Sequence, residues 1–146
     1  MRWKLLDAGP PATCAVVLAK GDEVMRELGR IAREQKIEAA SITGIGAFER
    51  AVLGYFDWET KEYKRNPVEE QVEVLSLIGD VAVSDGEPTL HLHTVLGKSD
   101  GSTVGGHLLE GHVRPTLELT LIEPPAHLRK RKDPETGLAL IDLERS

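Results

Sequence analysis

The chain has 146 residues, of which 40% are hydrophobic and 29% charged, and its formal net charge at pH 7 is −6. This composition is typical of one folded domain with a substantial core, and it excludes a disordered or low-complexity chain. A net negative charge repels a phosphate backbone, which argues against direct binding to DNA. We therefore expect a single domain over residues 1–146.

The apolar segments are too short for a membrane protein. The longest apolar run, residues 14–19, cannot cross a bilayer, and Asp7 interrupts the N-terminal apolar stretch that a signal peptide would need. Cys14 is the one cysteine, so it has no partner for an internal disulfide. We predict a cytoplasmic protein without membrane contact, in which Cys14 is a buried structural thiol.

The first part of the chain predicts a strand followed by a helix. Residues 13–19 have the apolar composition of a buried strand. Asp22 is a suitable N-cap for a helix that runs to about Gln35. The residues that recur at helical spacing and would form its buried face are Val24, Leu28, Ile31 and Ala32.

The rest of the chain predicts further strands. They cover residues 37–43, 50–58, 62–65, 73–83, 89–96, 112–122 and 138–143. We expect a turn or bulge to break the first of these at Gly44 and Gly46, and we expect the strand over 73–83 to continue through a bulge or turn at Gly79 and Asp80. The last segment would add an edge strand. The pattern predicts an α+β fold: a mostly antiparallel β-sheet packed on one principal helix.

Three histidines lie close together in the sequence. His91 and His93 alternate with Leu90 and Leu92, so both imidazoles would share one face of a strand. His107 follows a loop rich in glycine, serine and aspartate. Three neutral imidazoles with an open fourth position commonly hold zinc or a similar divalent metal. The alternative is that these histidines are solvated or hydrogen-bonded to a neighbouring strand.

Three blocks around these histidines resemble the plants and prokaryotes conserved (PPC) domain. They are residues 73–79 (Glu-Val-Leu-Ser-Leu-Ile-Gly), 88–93 (Pro-Thr-Leu-His-Leu-His) and 100–108 (Asp-Gly-Ser-Thr-Val-Gly-Gly-His-Leu). The similarity extends upstream to residues 40–47 and covers about residues 13–122. The ordered set is far more specific than any single block.

The resemblance implies an α+β fold that assembles as a homotrimer and contacts protein partners. In plants the domain follows a DNA-binding AT-hook, but this chain has no Arg-Gly-Arg-Pro core, so it resembles the stand-alone prokaryotic members, which are often labelled DNA-binding. His91, His93 and His107 all fall on motif positions. The resemblance therefore supports them as one metal or ligand site, whereas direct DNA binding is not expected.

The remaining segments of interest are two apolar segments, a basic cluster and two further histidines. Residues 75–83 and 113–122 are candidates for either a subunit interface or the core. The basic cluster, formed by Arg129, Lys130, Arg131 and Lys132, is expected to be a solvated turn or edge strand rather than a nucleic-acid site. His112 and His127 lie outside the motif and are expected at the surface or an interface.

Two functions remain open from the sequence. In the first, the chain is a non-enzymatic trimeric module for regulation or assembly that binds a ligand or metal, zinc or another divalent ion, at the three histidines. In the second, it is a metal-dependent hydrolase or lyase. Such an enzyme needs a carboxylate near the metal, for which Asp100, Glu110 and Glu118 are candidates, although Glu118 more simply faces solvent or an interface. No catalytic residue is assigned.

Overall fold

The computed structural model describes residues 1–7, 11–124 and 129–144. The elements within these residues are β1 (Arg2–Asp7), β2 (Ala12–Ala19), α1 (Val24–Glu34), β3 (Ala39–Asp57), β4 (Glu62–Val68), β5 (Val72–Ser84), β6 (Glu87–Gly97), β7 (Thr103–Glu123), β8 (Lys130–Lys132) and β9 (Ala139–Ile141). Among the described residues, no helix has both the length and the apolar character that crossing a membrane requires.

The main sheet has the strand order β1-β2-β7-β6-β5-β3-β4, and each neighbouring pair is antiparallel. Strand β3 also pairs with β7, which closes β3, β5, β6 and β7 into a ring. Strands β8 and β9 form a separate two-stranded sheet. The predicted α+β fold, with a mostly antiparallel sheet and one principal helix, is confirmed.

The core lies on the inner side of the ring, where α1 packs against β6 and β7. Period-two alternation decides which residues reach it: on β6, Leu92 and Leu96 are buried, whereas His93 and Val95 between them are exposed. Each fully buried leucine of this kind stabilises the fold by about 1.5–3 kcal/mol. One face of every central strand therefore builds the core, and the other face is free to carry a site.

The helix begins one residue later than the sequence suggests. Glu23, not Asp22, is the N-cap, and its carboxylate accepts hydrogen bonds from the backbone N–H groups of Met25 and Arg26 at 3.1 and 2.8 Å. The carboxylate of Asp22 instead accepts the backbone N–H of Ala19 at 2.9 Å and pairs with the N-terminal ammonium at 2.9 Å. Asp22 therefore stabilises the turn before the helix rather than the helix end.

Of the turn or bulge expected at Gly44 and Gly46, the structure has the bulge rather than a strand end, because β3 continues through both glycines. They mark a register shift in its pairing with β5. A Cβ on Gly46 would lie 2.3 Å from the carbonyl oxygen of Thr116, so the close approach of β3 to β7 requires glycine there. Strand β5 also continues through Gly79. The missing side chain of Gly79 lets the backbone of β6 approach closely.

Three other segments differ from the prediction. Strand β7 begins at Thr103, so Gly105 and Gly106 are strand residues, and the turn between β6 and β7 is short. Segment β9 pairs with β8 and does not extend the main sheet as an edge strand. Strand β1, which the sequence did not predict, provides one edge of that sheet beside β2.

Candidate metal centre

The three histidines come together on adjacent strands. His91 and His93 project from β6 on its outer face, and His107 on β7 is the direct cross-strand partner of His93. Residues directly opposite in an antiparallel pair share a face with Cβ atoms close together. One candidate ligand atom from each histidine lies within 4.8 Å of the other two. The sequence predicted this convergence, but it placed His107 after a loop rather than within a strand.

The spacing of the imidazoles fits a tetrahedral ion. His91 Nε2 lies 3.1 Å from His93 Nε2. The ring centroids are 5.0 Å apart for that pair, and 5.2 and 5.3 Å from His91 and His93 to His107. Two nitrogens bound tetrahedrally at about 2.0–2.1 Å from zinc are separated by roughly 3.3 Å. The first two histidines thus already have close to the separation that a shared ion requires.

The surroundings keep these rings in the neutral form that binds metal. Burial first, and then the neighbouring His91, His93 and Lys130, together lower the pKa of His107 from its usual 6.5 to about 4. Burial, followed by the charge of Lys130, also lowers the pKa of His91. Because only neutral imidazole is a ligand, no proton has to leave these two rings at neutral pH before a metal can bind.

His107 also has an unsatisfied nitrogen. Its Nδ1 is buried and has no hydrogen-bond partner among the described residues. Tyr63 stacks on the same ring, with centroids 4.8 Å apart and planes at 28°. A buried polar atom without a partner carries a free-energy cost, which a bound metal ion is one way to remove. The donor set, its spacing and this nitrogen together fit a metal ion.

A buried ion pair lies beside His91. Asp80 on β5 is the cross-strand partner of His91, and its Oδ2 is 3.9 Å from His91 Nδ1. The Nζ of Lys130 lies 2.6 Å from Asp80 Oδ1, and the Lys130 side chain is only 2% exposed. A carboxylate on the far nitrogen of a ligand histidine typically orients the ring. The sequence analysis did not predict a role for Asp80. Pairing β5 with β6 would have placed Asp80 opposite His91.

Most of the basic cluster is the exposed strand that the sequence predicts, because β8 lies in a two-stranded sheet and both Arg131 and Lys132 are exposed. Lys130 is the exception and corrects the prediction at that residue, since it is buried against Asp80. Arg131 Nε lies 3.3 Å from the carboxylate of Asp142, and a guanidinium nitrogen of Arg129 lies 3.9 Å from that of Glu38. Ion pairs therefore offset the positive charge of Lys130, Arg131 and Arg129.

The three carboxylates considered for catalysis lie elsewhere. Asp100 accepts hydrogen bonds from the backbone and hydroxyl of Ser102 within the turn between β6 and β7. Glu110 forms an ion pair with Arg65. Glu118 lines a different surface concavity, of about 580 Å³. None of the three lines the cavity next to the histidines.

His112 is separate from the cluster. His112 lies 3.4 Å from the guanidinium of Arg50, on a different part of β7. His127 falls outside the described residues. Among the described residues, the group that could hold a metal ion therefore consists of His91, His93 and His107.

An apolar surface continues from the histidines over the same outer face. Its five members, which we call the apolar face, are Ile45, Leu75, Ile78, Val95 and Ile122, exposed by 62, 53, 55, 42 and 41%. Ile78 is the direct cross-strand partner of His93, so site and surface adjoin. The two segments that were candidates for either an interface or the core, residues 75–83 and 113–122, contribute to both surfaces. Leu77 and Leu117 belong to the core, whereas Ile78 and Ile122 face outward.

The fold and the histidine cluster define a small antiparallel domain with a candidate metal site on its outer face. The family model for the Plants and Prokaryotes Conserved (PCC) domain matches residues 7–124. The chain belongs to this family, which is the one that its three sequence blocks resemble.

Solved structures of similar proteins have the same fold throughout. A Pyrococcus horikoshii protein, described as plant- and prokaryote-conserved, is 34% identical, with 97% of this chain and 94% of that chain covered and a TM-score of 0.84. The metal-containing protein from Archaeoglobus fulgidus is 33% identical, with 96% of each chain covered and a TM-score of 0.82. A candidate DNA-binding protein from Bacteroides thetaiotaomicron is 29% identical, with 98% and 99% covered and a TM-score of 0.90.

The chain also matches part of a longer kind of protein. It is 31% identical over 131 residues to the bifunctional protein GlmU of a Synechococcus strain, with 88% of this chain aligned. The chain spans about a fifth of the length of the curated relatives it matches.

Proposed function

We propose that this chain is a trimeric assembly and regulatory module that holds zinc or another divalent transition metal with His91, His93 and His107. The observation that carries the proposal is the convergence of one candidate ligand atom from each histidine within 4.8 Å. The similar Archaeoglobus fulgidus protein is described as metal-containing, which agrees with it. A calorimetric titration of the metal-free protein with zinc tests the site, and the absence of saturable binding would exclude it.

Three neutral imidazoles favour zinc or a similar ion over magnesium or calcium, which prefer oxygen ligands. Such ligands leave the ion its full charge and a position for a further group, so a metal bound here would act as a Lewis acid. The chain's own residues contribute orientation and shielding: Asp80 faces the far nitrogen of His91, and Tyr63 covers the ring of His107.

The apolar face supports assembly into a homotrimer. The five large apolar side chains of this face are exposed, and Ile45, Leu75 and Ile78 line one surface concavity, so a second copy of the chain would remove them from water. Light scattering after size exclusion tests the trimer, which has three times the 16.0 kDa mass of one chain. Contacts to other protein partners would then use the outside of the assembly.

The second candidate function is a metal-dependent hydrolase or lyase. A cavity of about 210 Å³ beside His91 and His107 favours it, because an enzyme needs room for a substrate next to its metal. Asp100, Glu110 and Glu118 do not line that cavity, which argues against them as the proton acceptors of such a reaction. Turnover of a hydrolysable substrate that is lost in His93→Ala, with the fold intact, would favour the enzyme over the module.

Direct DNA binding is not part of the proposed function. The net charge of −6 and the paired state of the basic cluster both oppose it, although a similar solved protein is described in DNA-binding terms. An anisotropy titration with duplex DNA should show no salt-sensitive binding. The single buried thiol of Cys14 agrees with our proposal of a reducing, cytoplasmic location.

A further inference from the structure

A small cavity of about 210 Å³ adjoins two of the three histidines, His91 and His107. Its lining also includes the ammonium-bearing side chain of Lys130. Its apolar lining includes Leu90 from β6 together with Leu138 and Leu140 from the segment around β9. The hairpin of β8 and β9 thus supplies both Lys130 and two of these leucines.

Lys130 places a positive charge in the cavity beside the histidines. Lys130 is almost fully buried, and it lines the cavity together with His91 and His107. Asp80 pairs with Lys130 and so offsets its charge. Imidazole binds a metal as a neutral ligand, so the charge of a divalent ion at the histidines would not be offset by the residues that line the cavity.

An uncompensated positive charge in a partly enclosed space favours an anionic ligand, and the apolar wall favours one with a hydrocarbon part. We infer that this cavity binds a short-chain carboxylate, with its charged end beside Lys130, His91 and His107 and its hydrocarbon end against Leu90, Leu138 and Leu140. The inference rests on the proposed metal centre. A volume of 210 Å³ equals that of about seven water molecules at roughly 30 Å³ each, which limits the ligand to a few carbon atoms.

The test is a calorimetric titration of the zinc-loaded protein with isobutyrate and with isobutyramide, its neutral analogue of the same shape. We expect saturable binding of isobutyrate and binding of isobutyramide that is weaker by about tenfold or more, because the amide has no charge. Inorganic phosphate serves as a third probe. Since phosphate has no hydrocarbon part, it should bind more weakly than isobutyrate, and equal or tighter binding would overturn the choice of a carboxylate.

Variants localise the binding. Lys130→Met should weaken isobutyrate binding by about tenfold or more, Lys130→Arg should retain most of it, and Lys132→Met, on the exposed part of the same strand, should leave it unchanged. If Lys130→Met does not fold, Leu140→Glu provides a second test, because Leu140 is 46% exposed and a carboxylate there would repel the ligand from the cavity.

The outcomes separate this inference from the proposed function. If the protein takes up no zinc, both are wrong. Zinc uptake without isobutyrate binding would overturn the carboxylate site and leave the metal centre intact. Isobutyrate binding that Lys130→Met and Leu140→Glu do not weaken would place the ligand elsewhere and also overturn the inference.

Discussion

His93 and His107 face one another as direct cross-strand partners on β6 and β7. Both side chains therefore project from hydrogen-bonded strands, and His91 joins them from the same strand as His93. Sites on strands are held more rigidly than sites on loops, so little ordering would be needed when an ion binds. The geometry thus supports a preorganised three-imidazole site.

The first prediction concerns pH. In the metal-free protein, the free energy of unfolding should decrease as the pH falls from about 6.5 to about 4. The folded-state pKa of His107 is depressed to about 4, so within this window the unfolded chain binds more protons than the folded one, and acid favours unfolding. Denaturant unfolding at a series of pH values measures this. His107→Asn should show a shallower dependence, and an equal slope in both proteins would contradict the prediction.

The second prediction concerns Asp80. Asp80→Asn should weaken zinc binding by about 10- to 100-fold, because the carboxylate that faces His91 Nδ1 would lose its charge. The measurement is a competition titration with a chromophoric chelator. Asp100→Asn is the matched control, since Asp100 bonds to Ser102 in a turn and does not line the histidine cavity. Equal zinc affinity in Asp80→Asn and the wild type would show that Asp80 has no orienting role.

The third prediction concerns the apolar face. The double variant Ile45→Lys/Leu75→Lys should reduce the mass in light scattering from three chains to one, because burying two unpaired ammonium groups in an interface is unfavourable. Leu143→Lys is the control, since Leu143 is 80% exposed but is not part of the apolar face. A trimer that survives in the double variant, or a wild type that is monomeric at micromolar concentration, would be evidence against this interface.

The fourth prediction concerns the ligands themselves. His91→Ala and His107→Ala should each lose at least about tenfold in zinc affinity, whereas His112→Ala should retain it, since His112 lies beside Arg50 and outside the cluster. Circular dichroism of each variant checks that the fold is preserved. Zinc affinity that is unchanged in both cluster variants would exclude the three histidines as the site.

The sequence could predict what depends on local periodicity. Alternation placed His91 and His93 on one face of a strand, and helical spacing placed Val24 and Leu28 on the buried face of α1. The ordered motif blocks added His107 to the same unit. These features depend on residues close together in the sequence, so they can be predicted without knowledge of the tertiary fold.

Features that depend on contacts between distant segments could not be predicted. Gly46 lies inside β3, which continues past it. Glycine is needed there because the backbone of β7 approaches too closely for any side chain, and this contact cannot be read from the local sequence. Lys130 looked like a solvated charge, yet it is buried because the C-terminal hairpin brings it against Asp80. Pairing of β5 with β6, rather than any local pattern, is what places Asp80 beside His91.

The most direct measurement is elemental analysis of tag-free protein purified without chelator, beside His91→Ala and His107→Ala. A three-imidazole centre predicts about one equivalent of zinc, or of a comparable divalent metal, per chain in the wild type and a loss of that metal in both variants. Wild-type protein that contains no metal, and that takes none up when zinc is added, would contradict the proposed metal centre.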